Sequence, residues 1–191
     1  MTTVHAATNT QSVLDSVPAT GTSDLRKNRS VLNNIILSST GAAKTLERVI
    51  PQATSFGFMA DSIRIPTPTV SLISLNITFT SRLNELSMPF INAQYIKDIY
   101  KTAAAGAQKN LLYFSDLQNV STDLMGLNAA VIIEGNELHT RTGFLQLHPE
   151  TLLQAGIKEA NAVNLPVTHA KILGWYDNEY GSYVYCLGQL A

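Results

Sequence analysis

Cysteine is almost missing from this sequence: Cys186 stands alone among 191 residues. One thiol excludes an internal disulfide framework and any cysteine-built metal cluster, and it fits a reducing cytoplasm. Charge is sparse as well. Charged residues make up 14% of the chain and the net charge is −1, with no long basic run to follow a phosphate backbone, so nucleic-acid binding has no electrostatic support. Long apolar runs are also lacking. Stretches such as Ala129–Ile133 fall far short of the ~20 residues that a bilayer-spanning helix needs, and no basic-then-apolar signal peptide is expected. His139, His148 and His169 show no metal-ligand spacing with one another or with carboxylates. No metal site, nucleic acid or membrane is expected.

What is present is enough for one sizeable core, because apolar residues account for 45% of the chain. Residues 1 to 8 read as the end of a strand. A long polar stretch from Asn9 to about Asn33 follows, and loops of that length inside a domain tend to be functional. Ala42, Ala43, Leu46, Val49 and Ile50 fall at helical spacing before Pro51, so a helix should start near Thr40 or Gly41. Phe58 to Ile65 reads as a strand. Ser71 to Thr80 alternates, with Ile73, Leu75, Ile77 and Phe79 on one face. Ile96, Ile99, Tyr100 and Ala103 mark an amphipathic helix between Asn92, a suitable N-cap, and Gly106. Further strands are expected at Ala129–Ile133, Leu138–Leu147 and Val167–Trp175, with a short helix or irregular insertion over Thr151 to Asn164 and a last helix over Val184 to Leu190. Helices and strands that do not alternate strictly indicate an α+β fold, a mostly antiparallel mixed sheet with helices covering one face.

Several residues could carry chemistry, and each has a plain alternative. His5 ends the first strand, where imidazole suits acid–base work near neutrality or simply packs. Thr8 either offers its hydroxyl to a ligand or faces water. Thr40 and Gly41 precede a helix whose first N–H groups make an anion site, unless Ser39 or Thr40 merely caps it. Arg64, between two isoleucines, points to the strand face opposite theirs, as a surface arginine or a forked oxyanion clamp. Arg26 and Arg29 sit in a basic loop string, Asp24–Arg29, that water alone would satisfy. Cys186, with no histidine near it in sequence, reads as a buried structural thiol.

Three strings carry a resemblance: Thr2-Thr3-Val4-His5-Ala6, Ser38-Ser39-Thr40-Gly41-Ala42-Ala43-Lys44 and Trp175-Tyr176-Asp177-Asn178-Glu179. In order and separation they resemble the catalytic domain of phosphorylating glyceraldehyde-3-phosphate dehydrogenases, with Ser62-Ile63-Arg64-Ile65-Pro66-Thr67 as a further match. The resemblance implies that His5 pairs with a cysteine nucleophile and acts as acid and base. It implies that Thr8 and Arg64 anchor phosphate, that Thr40 and Gly41 hold inorganic phosphate or the acyl phosphate, and that Asn178 holds the nicotinamide carboxamide. It also implies a cytoplasmic homo-oligomer that uses NAD or NADP on glyceraldehyde 3-phosphate in glycolysis. Residues 1–175 would be the catalytic domain, and 176–191 a helix that packs on a nucleotide-binding domain. The family's cysteine lies upstream of the histidine string, so both it and that domain are expected to be missing here and the isolated chain to be inactive. There are departures: Ala7 replaces an aromatic residue, and Gly181 is followed by Ser182 before Tyr183. Asn119-Val120-Ser121-Thr122-Asp123 resembles the family's short V-S-S-D strand, and the length from Asn136 to Leu165 resembles the larger bacterial branch. An erythrose-4-phosphate dehydrogenase fragment, or a noncatalytic anion-binding module that kept the fold, are the alternatives.

Overall fold

The computed structural model describes residues 1–191. In chain order it has β1 (Thr2–His5), β2 (Ile36–Ser38), α1 (Ala42–Val49), β3 (Asp61–Arg64), β4 (Ser71–Thr80), α2 (Ala93–Ala105), β5 (Leu112–Ser115), β6 (Val131–Glu134), β7 (His139–Leu147), α3 (Pro149–Gln154), β8 (Val163–Tyr176) and α4 (Ser182–Leu190). The eight strands form one mixed sheet in the order β2-β3-β1-β4-β8-β6-β5, with β7 joined to β8. Two pairings are parallel, β1 with β3 and β5 with β6; the others are antiparallel. The α+β reading holds.

β8 organises the sheet because it is long enough to serve three neighbours. Its residues from Val167 to Tyr176 pair with all of β4. Its other edge carries β7 from Val163 to Lys171 and then β6 at Gly174 and Trp175. The expected alternation along β4 sets the layers. Leu75 packs against Ile133, Leu138 and Ile172, together with Ile96 and Tyr100 of α2. α2 therefore covers Leu75, Ile77 and Phe79, on the face that they share with Ile73. Asn92 caps it, accepting from the Tyr95 N–H at 3.0 Å, and Gly106 stops it. A second cluster, Val70, Leu124, Ala129 and Ile132 with Trp175 against it, sits where β4 begins.

Some expectations need correction. β3 is shorter than Phe58–Ile65, because its partners β1 and β2 run only four and three residues. β8 starts four residues before Val167, since β7 continues to pair with it through Pro166. β5 was not anticipated. The segment expected as a V-S-S-D-like strand is instead a 3-10 turn over Ser121–Leu124, closed by the Asp123 carboxylate accepting from the Val120 N–H at 2.8 Å. Asn9 to Asn33 contains only one 3-10 turn, Leu25–Asn28, but is stitched together. Asp15 accepts from the Ser30 N–H at 2.8 Å and from Arg29 at 3.1 Å, and the Ser30 hydroxyl donates to the Val13 carbonyl at 2.6 Å. No helix is long and apolar enough to cross a membrane.

Candidate functional site

Parallel pairing of β1 with β3 puts His5 beside Arg64, although 58 residues of chain separate the strand segments. Registered neighbours in a sheet share a face, so imidazole and guanidinium lie side by side. β4 follows on the other edge of β1, and β8 beyond it brings Tyr176 within reach. The Tyr176 hydroxyl lies 2.8 Å from His5 Nδ1, and the two rings meet edge-on with centroids 6.0 Å apart. Tyr183, from the first turn of α4, leans on Tyr176 at 6.0 Å. His5, Thr40, Tyr176 and Tyr183 line one open groove of about 410 Å³ whose floor includes Ile73 and Val131.

Burial, and then the nearby positive charge of Arg64, push the His5 pKa below its ordinary value. Burial likewise pushes the Tyr176 phenol up to about 12. Both groups are thus held neutral at neutral pH, and their contact is a hydrogen bond between neutral partners. The direction of that bond decides the chemistry: if Nδ1–H donates to the tyrosine oxygen, Nε2 keeps a lone pair for use as a base.

Arg64 donates through Nη1 to the Ala6 carbonyl at 3.1 Å, while its Nε is buried with no protein partner. Its guanidinium lines a second hollow of about 210 Å³ with Arg26, Lys27, Ser38, Ser39 and Thr10. Asp24 holds Arg26 through a fork at 2.7 and 3.1 Å; Lys27 has no such carboxylate. Thr8 lines neither hollow. Its hydroxyl donates to the Gln11 side chain at 2.9 Å, inside the turn that brings Thr10 and Gln11 to the Arg64 hollow.

At the start of α1 the Thr40 hydroxyl accepts from the Ala42 N–H at 3.1 Å, so the threonine does act as a cap. Gly41 occupies the N-cap position with no side-chain bond, and a methyl added there would meet nothing within 4 Å. Its surroundings are open, and its backbone angle of −88° does not itself demand glycine.

Asn178 follows the end of β8. Its Oδ1 is buried and unpartnered, whereas neighbouring Asp177 is fully engaged. The Asp177 carboxylate accepts from the Thr69 hydroxyl at 2.8 Å and from the N–H groups of Gly126, Glu179 and Tyr180 at 2.9, 2.9 and 3.1 Å. Burial raises this carboxyl's pKa, and the four donors more than offset it, leaving a net depression. Gly181 completes the turn. A Cβ there would lie 2.7 Å from the Leu127 carbonyl, so only glycine allows this approach. Across the sheet, Val70 holds a φ of 61°, a strained position for a β-branched residue. It is kept there by its core cluster, while Thr69 and Ser71 on either side bond Asp177 and the Ala6 N–H.

A family model described as "Glyceraldehyde 3-phosphate dehydrogenase, C-terminal domain" matches residues 1–147. The chain belongs to this family. A glyceraldehyde-3-phosphate dehydrogenase of Sclerotinia sclerotiorum is 33% identical over 181 residues, covering 95% of this chain and 43% of that protein. Glyceraldehyde-3-phosphate dehydrogenase 2 of Agaricus bisporus is also 33% identical, and glyceraldehyde-3-phosphate dehydrogenase 2 of Schizosaccharomyces pombe 34%, each with the same coverage. The chain therefore spans less than half the length of these relatives.

Of the expected glyceraldehyde-3-phosphate dehydrogenase residues, His5 and Thr40 share one groove and Arg64 stands beside His5 in the adjoining hollow. Gly41 is next to Thr40 in sequence, and Asn178 is two residues beyond Tyr176. Sequence reasoning did not single out Tyr176 or Lys27. Tyr176 lies inside a quoted string, but its contact with His5 spans 171 residues. Lys27 was masked by its exposed, charged neighbours. Cys186 is half-buried on α4 rather than fully buried, and it is not part of the groove lining.

Proposed function

We propose that this chain is the catalytic part of a phosphorylating glyceraldehyde-3-phosphate dehydrogenase. It would oxidise glyceraldehyde 3-phosphate to an acyl phosphate with NAD or NADP and inorganic phosphate. The reading places it in cytoplasmic carbohydrate metabolism as a homo-oligomer, with residues 1–175 as catalytic domain and 176–191 as a helix docked on a nucleotide-binding domain. The observation that carries it is His5, neutral and bonded to Tyr176, facing a groove it shares with Thr40 and flanked by Arg64. α4 supports the docking role, since Tyr183, Val184, Leu187 and Leu190 are all exposed.

In this reading His5 takes the proton of a thiol and gives it to the aldehyde oxygen as the carbon–sulfur bond forms. It then takes that proton back when hydride leaves the carbon. The groove lining contains no thiol. The sulfur therefore comes from outside residues 1–191, and these residues alone turn over no aldehyde phosphate. Arg64 presents the unpartnered Nε edge of its fork to the substrate phosphate, with Lys27 adding charge. Thr8 joins them by turning its hydroxyl from Gln11. Thr40 and the open backbone at Gly41 receive inorganic phosphate, which attacks the thioester carbonyl and releases the thiolate. The buried, unpartnered Oδ1 of Asn178 fits the N–H of a nicotinamide carboxamide. When bound, that group supplies the hydride acceptor.

Arg64→Ala in the complete enzyme tests the assignment. Losing a charge-assisted bond worth about 1.5–3 kcal/mol raises KM for the aldehyde phosphate roughly ten- to hundredfold. An unchanged KM rejects the clamp.

A further inference from the structure

The free edges of the sheet differ in length. β2 and β5 close its two ends with three and four residues, and short edge strands offer little for another chain to pair with. β7 runs nine residues, His139–Leu147, and pairs only with β8. Its register with β8 is one-to-one throughout, with no bulge to bend it away. No backbone hydrogen bond ties its outer edge to another part of the chain, so the N–H and C=O groups of alternate residues lie open there. Past Gly143 the ribbon has left the main sheet. β4 ends its pairing with β8 at Val167, the residue opposite Gly143, and β7 and β8 continue as two strands to Leu147 and Val163. Two strands by themselves are marginal in water.

Proteins blunt a long edge with charge, especially lysine, with proline or with a bulge. Thr142-Gly143-Phe144-Leu145-Gln146-Leu147 has none of these. Phe144 and Leu145 point to opposite faces and are 62% and 51% exposed, and a Cβ on Gly143 would meet nothing within 4 Å. The nearest charge on the strand is Arg141.

We propose that Thr142–Leu147 is an interface edge that pairs antiparallel with the same edge of a second copy of this chain, independent of the dehydrogenase reading. A two-fold contact sets the strand against itself, so self-compatibility decides the partner. With the axis at Phe144 or at Leu145, Phe144 meets Phe144 or Gln146, and Leu145 meets Gly143 or Leu145. Arg141 then faces Leu147 or lies past the partner strand, and two arginines meet only with the axis at Arg141 itself. The segment tolerates its own copy without opposing like charges, and a net charge of −1 sets up little repulsion between whole chains. The new ladder gives the open backbone groups partners and the two-stranded ribbon a third strand.

Sedimentation velocity of the full chain over a concentration series tests this. A monomer–dimer equilibrium is expected, weakened about tenfold or more by Phe144→Lys and by Leu145→Lys, each of which puts like charges beside the axis. Leu187→Lys, at an exposed position of α4, should leave it unchanged. A chain that stays monomeric at every concentration, or a dimer indifferent to both edge lysines, overturns the proposal. So does a dimer lost in Leu187→Lys, which would place the contact on α4. Should the edge variants misfold, amide hydrogen exchange of the unaltered chain decides the matter: outward N–H groups between Thr142 and Leu147 must slow as concentration rises, while those of β2 and β5 do not. Exchange there that ignores concentration overturns the edge.

Discussion

Asp177 and Asn178 are adjacent in the chain, yet their side chains are used in opposite ways. The Asp177 carboxylate has four protein donors, which tie the end of β8 to Thr69, to the Gly126 turn and to the entry of α4. The Asn178 amide oxygen is buried with none. The same division runs through the whole region. Thr69, Ser71 and Ser182 bond within the protein, whereas the Arg64 Nε edge and the groove side of His5 do not. A buried polar group without a partner costs about 1–3 kcal/mol. Arg64 bears this cost at the edge of an open hollow, where a ligand would complete it, and the satisfied groups hold the frame around it.

Breaking the frame should have the largest effect. Asp177→Ala leaves a hydroxyl and three N–H groups without their charged acceptor, and should cost about 3 kcal/mol or more. For a chain of this size that lowers Tm by roughly 6–12 °C, measured by thermal denaturation. A shift under two degrees would mean that water replaces the carboxylate and that no frame exists. The pH dependence has a definite sign. The folded pKa of Asp177 is depressed, so its contribution is full above the unfolded value near ~3.9 and fades as pH falls through the lower folded value. Acid unfolding of Asp177→Asn should be less steep than that of the parent.

Thr69→Val removes one donor of the four while keeping shape. It should cost about 1–2 kcal/mol and, in a double-mutant cycle with Asp177→Ala, should be non-additive because the two share a bond of 2.8 Å. Additive losses would separate Thr69 from the frame.

Tyr176→Phe probes the border between the two classes, since the phenol touches the frame strand and the groove histidine at once. The lost bond is worth about 0.5–1.5 kcal/mol; its direction is the more informative result. If Nδ1–H of His5 donates to the phenol, removing that acceptor penalises the imidazolium more than the neutral ring, and the His5 pKa drops further. If the phenol donates, its removal lets Nδ1 take up a proton more readily and the pKa rises. The first outcome, read from the His5 ring protons in an NMR titration, is expected; the second leaves the groove without a base.

The frame was more legible in sequence than the groove. α2 was readable because Asn92, the apolar spacing and Gly106 all agree, and β4 because its alternation runs unbroken from Ile73 to Thr80. β5 was hidden because four residues, Leu112–Ser115, are too short for a period to appear. The start of β8 was hidden by Pro166, which reads as a strand breaker although its carbonyl accepts from the Ser81 N–H at 2.9 Å. His5, Thr40 and Arg64 stood out from local strings. Their arrangement did not, because the parallel pairing of β1 with β3 and the reach of Tyr176 to His5 are long-range contacts that no local pattern encodes.

The smallest expected effect belongs to His5 itself. Burial and Arg64 lower its folded pKa, so the unfolded chain binds the proton more readily and stability rises with pH across the gap. The contribution is complete above the unfolded value near ~6.5 and is lost as pH falls from there to the lower folded value. His5→Gln keeps a polar side chain of similar reach without titrating, and should flatten Tm against pH over that interval while leaving Tm at pH 8 within a few degrees of the parent. A groove residue should give this result, since little of the fold depends on it. A collapse in Tm at every pH would instead assign His5 to the same structural class as Asp177, and the line between frame and groove would have to be drawn elsewhere.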